Sequence, residues 1–104
     1  PMGHLQFLSS SSSKLMNASA SKIMADIYFR KNNLSKSINI IDSSLKSCSN
    51  SFNCNSLKIK KAFYLIKQGD TDKANTLLLE LKNKKNIDLS HKRAMEELMG
   101  EIAG

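Results

Sequence analysis

Few side chains in this sequence are equipped for chemistry, and the two cysteines are the first to weigh. Cys48 and Cys54 flank the stretch SNSFN, and a pair of thiols can hold a soft metal, run a redox couple or close a disulfide. Their spacing fits neither a zinc-ligand pattern nor a redox pair, and His91 lies far away in sequence. Two reduced thiols beside a loop are the expectation, with a local disulfide only in an oxidising compartment. Glu96, Glu97 and Glu101 fall on one terminal segment and are expected to balance lysines. The chain has no glycine-rich phosphate loop, no metal-spaced His and Glu set, and no nucleophile with a base nearby. No enzymatic activity, cofactor or metal is therefore expected.

Charge is the stronger signal. Sixteen Lys and Arg against nine Asp and Glu give a formal charge of +7 and a pI near 9.6, which favours acidic partners. Lys58, Lys60, Lys61 and Lys67 gather in one segment, and Lys82, Lys84 and Lys85 follow in another. This keeps a basic, RNA-binding helical protein open as the alternative function, although the aromatic residues sit on apolar faces and no nucleic-acid motif is present. A low-GC coding bias also yields Lys, Asn, Ser and Ile, so many lysines can be plain solvated faces. No window approaches the roughly 20 apolar residues of a membrane span.

The elements that must position these groups are helical throughout. Pro1-Met2-Gly3-His4 reads as a cloning scar, and with the serine run Ser9 to Ser13 it makes residues 1–16 a flexible tag and linker. Residues 17–104 are then a single domain with a modest core. Ile23, Met24, Ile27 and Tyr28 give the apolar spacing of a first helix, which Asn32-Asn33 breaks. Leu34, Ile38, Ile41 and Leu45 share a face of the second, widened by Ile40 and ending near Ser47. After the cysteine loop, Leu57, Ile59, Ala62, Phe63, Leu65 and Ile66 form a third helix. Gly69 closes it, and Asp70 or Thr71 caps a fourth from about Asp72 to Lys84, with Ala74, Leu77, Leu78 and Leu81 inward. Ser90 is expected to cap a fifth carrying Met95, Leu98, Met99 and Ile102.

The chain also repeats itself. A shift of 37 residues lays Ala25 on Ala62, Tyr28 on Leu65, Asn32-Asn33 on Gly69-Asp70, Ser37 on Ala74 and Ile41 on Leu78. The last helix falls on the start of a third unit, as a terminal helix that covers a solenoid's apolar edge would. In this the chain resembles the tetratricopeptide repeat from about Ser19 to Ile102, through Met24, Ala25, Tyr28, Ser37 and Ile41 and then Ala62, Leu65, Ala74 and Leu78. It departs from that pattern at Ser21, at Lys58 and Lys61 where apolar residues belong, in unit length, and in lacking the closing proline. The resemblance implies an all-α fold of about two and a half repeats, with five helices in a short right-handed solenoid.

It also implies a groove. The positions similar to the family's groove residues are Lys22, Asp26, Phe29 and Arg30, then Ile59, Phe63, Ile66 and Lys67, an apolar strip with a basic rim. The same apolar groups can equally be core and the same cations solvated. An amphipathic helix with acidic flanks is the ligand such a groove fits. The clamp that some of these repeats use for acidic chaperone tails is not expected, because Asp26 stands at a clamp asparagine position and Ser56 and Lys60 do not restore the set. In size and helical content the chain is similar to small bacterial type III secretion co-chaperones. That likeness implies a cytoplasmic virulence factor that keeps a helical needle subunit soluble in a hetero-dimer, or in a hetero-trimer with another small chaperone. A limited core and an exposed groove would leave the isolated chain marginally stable.

Overall fold

The structure, a computed structural model, describes residues 18–103 and places five α-helices along them: α1 (Ala18–Arg30), α2 (Leu34–Lys46), α3 (Ser51–Gln68), α4 (Thr71–Lys82) and α5 (Leu89–Ala103). No strand occurs among the described residues. The linker expected over residues 1–16 lies outside them. Each helix packs antiparallel on the next. In addition α3 lies against both α1 and α5, whereas the backbones of α2 and α4 stay apart.

Two turns explain why the chain doubles back where it does. Among the described residues Asn32 and Gly69 are the two with positive φ, at 62° and 93°, the left-handed conformation that ends a helix with its last carbonyls satisfied. In the first turn the Asn33 amide donates to the Tyr28 carbonyl at 2.8 Å. In the second the Asp70 amide donates to the Leu65 carbonyl at the same distance. Asn33 and Asp70 then cap the next helices, their side chains accepting from the amides of Lys36 and Lys73. Every one of these atoms has its counterpart 37 residues on, so the two hairpins turn on the same hydrogen-bond pattern.

Two apolar clusters build the interior. Ala18, Ala25, Ile41, Leu57 and Tyr64 form the first. Ile59, Ala62, Leu65, Ala74, Leu78, Leu81, Met95 and Leu98 form the second. Ile38 and Phe63 border both and join them. Leu57, Leu78 and Leu81 are fully buried, each contributing about 1.5–3 kcal/mol relative to exposure. Ala25 and Ala62 have no exposed surface either, because their small side chains let neighbouring helices close in. Ser37 does the same on α2, and its hydroxyl donates to the Ala25 carbonyl at 2.6 Å.

Several expectations need correction. Ile23, Met24 and Ile27 do not face the core: they are 62, 38 and 44% exposed, and Ala18, Ser21 and Ala25 are the buried residues of α1. The third helix begins at Ser51, well before the apolar stretch, since the Asn50 side chain accepts from the Asn53 amide and starts it. Cys54 thus lies on α3, and it is joined to Cys48 in a disulfide in place of the expected free thiols. Ser90 is not the cap of α5. Asp88 is, receiving the Ser90 amide on its carboxylate and the Lys92 amide on its carbonyl.

Candidate binding surface

α1 and α3 meet along a ladder of side chains in which each partner lies 34 residues from the other. Lys22 Nζ donates to Ser56 Oγ at 2.6 Å. One turn on, Lys60 Nζ approaches Asp26 Oδ1 at 2.9 Å. A further turn brings the rings of Phe29 and Phe63 edge to face, with centroids 5.4 Å apart. Since the turns repeat at 37 and the lateral contacts at 34, each partner sits nearly one helical turn before the equivalent position.

Tyr64 ties the middle rung. It is fully buried, its hydroxyl donates to the Asp26 carboxylate, and its ring lies 5.5 Å from both phenylalanines. Burial, the largest influence on Asp26, would raise its pKa. The hydrogen bonds from Tyr64 and Lys60 and the charges of Lys60 and Arg30 together outweigh it, and the carboxyl is held below its ordinary value. Tyr64 is driven the other way, first by burial and then by its bond to Asp26, so the phenol stays protonated. Lys60 and Lys67 stand over the Phe63 ring at 5.1 and 5.4 Å from its centroid, within cation–π range.

The eight expected groove residues therefore separate. Phe29, Phe63 and Ile66 are half-buried, while Arg30 and Lys67 are exposed rim. Ile59 belongs to the core, and Lys22 and Asp26 are engaged by α3. Ser56, weighed before only as a clamp position, joins the partly buried rung with Lys22, and Tyr64, which was not anticipated, supports the seam from within the core. A signal for Ser56 was present in the sequence as its 34-residue offset from Lys22, whereas Tyr64 bonds to Asp26 across 38 residues and stands outside that pattern.

The lysines of α3 turn out to be connectors. Lys58 pairs with Glu80 of α4 at 3.3 Å, Lys60 with Asp26 of α1, Lys61 with Asp42 of α2 at 2.7 Å, and Lys67 with Glu101 of α5 at 3.7 Å. One helix thus reaches all four others by ion pairs. Lys58 and Lys61 fit where apolar groups were expected because their stems can run over the core while the ammonium reaches a carboxylate at the edge. Lys84 also turns inward, donating to the buried amide of Asn55 at 3.1 Å, and burial together with the nearby Lys58 charge lowers its pKa.

At the far end of α3, the Phe52 ring lies 4.3 Å from the His91 ring of α5. His91 is buried, and its Nδ1 has no hydrogen-bond partner. Burial, with help from the Lys22 charge, lowers its pKa, partly opposed by Asp88. Among the described residues no three of His, Cys, Asp and Glu gather into a metal-binding group, and no helix is long and apolar enough to cross a membrane.

These features define a small all-helical domain of five sequentially antiparallel helices. Comparison with family models, with curated proteins and with solved structures finds no match.

Proposed function

We propose that this protein is a helix-binding module built from tetratricopeptide-like hairpins, and that it holds an amphipathic helix of a partner protein against the face shared by α1, α3 and α5. The observation that carries this reading is the half-buried row of Phe29, Phe63 and Ile66, flanked by the exposed Arg30 and by Lys67, whose ammonium lies 3.7 Å from Glu101. An apolar strip beside cations suits a ligand helix with apolar side chains at i, i+3, i+4 and i+7 and acidic flanks. The identical turns 37 residues apart and the contacts of α3 with α1 and α5 support the repeat. Small type III secretion co-chaperones, which keep a needle subunit soluble in the bacterial cytosol, are the use this reading favours.

Co-expression of the full chain with the products of its neighbouring genes, followed by affinity capture, tests the proposal. Arg30→Glu alters an exposed residue that makes no salt bridge, so the fold should survive and the retained partner should be lost. A partner retained equally by wild type and by Arg30→Glu combined with Phe29→Ala would overturn the reading. RNA binding is the competing use. Four of the lysines it would draw on are already paired with carboxylates, and a steep loss of affinity with salt is its signature. A filter-binding series at low and physiological salt separates the two.

A further inference from the structure

The opposite side of α1 carries a second feature. At 100° per residue, Lys22, Asp26 and Phe29 share the side turned to α3, while Ile23, Met24 and Ile27 fall on another side that no described helix covers. All three are exposed, two of them by 44% or more. Single exposed apolar residues are ordinary, but neighbouring ones within little more than a turn form a patch. Met24 extends it into a depression of about 240 Å³ between α1 and α2, bordered also by Ser21, Lys36, Ile40 and Ser44. Ser21 Oγ is buried there without a hydrogen-bond partner.

Charge says what would cover this patch. The two carboxylates of the α1–α2 hairpin, Asp26 and Asp42, are both taken by lysines of α3. Arg30, Lys31 and Lys36, at the end of α1 and the start of α2, make no salt bridge among the described residues. Lys31 and Lys36 stand over the Tyr28 ring instead, 5.9 and 5.7 Å from its centroid. The outer surface of the hairpin is thus an apolar stripe flanked by unneutralised cations. A second copy of the same surface would set like charges against each other.

We infer that the outer face of α1, through Ile23, Met24 and Ile27, is a second docking surface that takes an acidic amphipathic helix from a different polypeptide. This goes beyond the α1–α3 face, from which it is separated by the body of the helix. A protein with both surfaces holds two helices at once.

The test uses the full chain and two fluorescein-labelled helical peptides, each with leucines at i, i+3, i+4 and i+7, one flanked by glutamates and the other by lysines. The glutamate peptide should bind and the lysine peptide should not. Ile23→Asp combined with Ile27→Asp should weaken the glutamate peptide by roughly tenfold or more, with helicity and melting temperature unchanged because both sites are exposed. Because the α1–α3 face fits the same peptide, each measurement is repeated in a Phe29→Ala background, where the binding that remains should be the part carried by Ile23 and Ile27. Equal binding of both peptides, or binding unaffected by the double substitution, overturns the inference. So does loss of binding in Phe29→Ala alone, which would leave only the α1–α3 surface. A lowered melting temperature in the free double variant would show that the chain's own residues cover the stripe. Concentration-dependent dimerisation abolished by the double variant would assign it to a second copy. Either result also overturns it.

Discussion

Tyr64 joins apolar and polar contacts at the centre of the α1–α3 seam: a fully buried ring against two phenylalanines and a hydroxyl on the Asp26 carboxylate. Tyr64→Phe keeps the ring and removes only the hydrogen bond to a charged acceptor, so a loss of about 1.5–3 kcal/mol is expected in chemical denaturation. The same change should raise the Asp26 pKa toward its ordinary value. In the wild type that pKa is depressed, so the stabilisation is complete above the unfolded value of 3.8 and is lost as pH falls through the folded one. His91 governs a different window. Its folded pKa lies below the ordinary 6.5, so on acidification the unfolded chain takes up a proton that the native chain refuses. Stability should therefore begin to fall below about pH 6.5, well before Asp26 protonates. His91→Phe retains an aromatic ring beside Phe52 and should flatten the melting temperature across that window; a variant with the wild-type slope would remove His91 as its cause.

The helices themselves are set by their turns, and the turns are unequal in one respect. Both require a left-handed residue, which Gly69 supplies without steric cost and Asn32 supplies less well. Beyond Gly69 itself and its two chain neighbours, no atom lies within 4 Å of where its β-carbon would stand, so Gly69→Ala should cost about 1–2 kcal/mol through backbone conformation alone. Asn32→Gly should be neutral or slightly stabilising. Equal denaturation midpoints for wild type and Gly69→Ala would show that the hairpin does not depend on this closure. Such turns were legible in the sequence because Gly-Asp and Asn-Asn announce a stop and a cap together, and the inward face of α4 was legible because Ala74, Leu78 and Leu81 are its consistent apolar line. The inward face of α1 was legible only at Ala25, which the repeat sets opposite Ala62 and which is fully buried. Hydrophobicity ranks Ile23, Met24 and Ile27 above Ala18, Ser21 and Ala25, but close approach of α2 and α3 needs the small residues, and packing decided the matter. The start of α3 was hidden for a related reason. Ser51 to Ser56 are mostly weak helix formers, and a single Asn50 side chain bond starts a helix that propensity alone would delay.

At the scale of the whole molecule, α3 is the hub, tied by ion pairs to every other helix. Exposed pairs of this kind contribute little individually, so the connection between the hairpins rests on packing and on the disulfide that anchors the α2–α3 turn to the first turns of α3. Cys48 and Cys54 are six residues apart, and closing so short a loop restricts the unfolded chain by about 2 kcal/mol in the chain-entropy model. For a domain of this size that is a large share of the total stability. The loss should appear as a melting temperature lower by about 10 °C in a thiol reductant, and equally in Cys48→Ser combined with Cys54→Ser, which should no longer respond to reductant. Near the bridge, amide exchange should accelerate over Ser51–Cys54 before it does in α4, since the bridge holds the turn that sets Phe52 on His91. The compartment gives this experiment its functional meaning. Under the proposed cytosolic role the bridge seen in the structure would face reductants that keep thiols open; alkylation of the protein in intact cells would then trap both cysteines as thiols, and the reduced form would be the one that gains most from a bound partner. A bridge intact in cells would place the working protein in an oxidising compartment and set aside the cytosolic role, while leaving the helix-binding surfaces to be judged by their own variants.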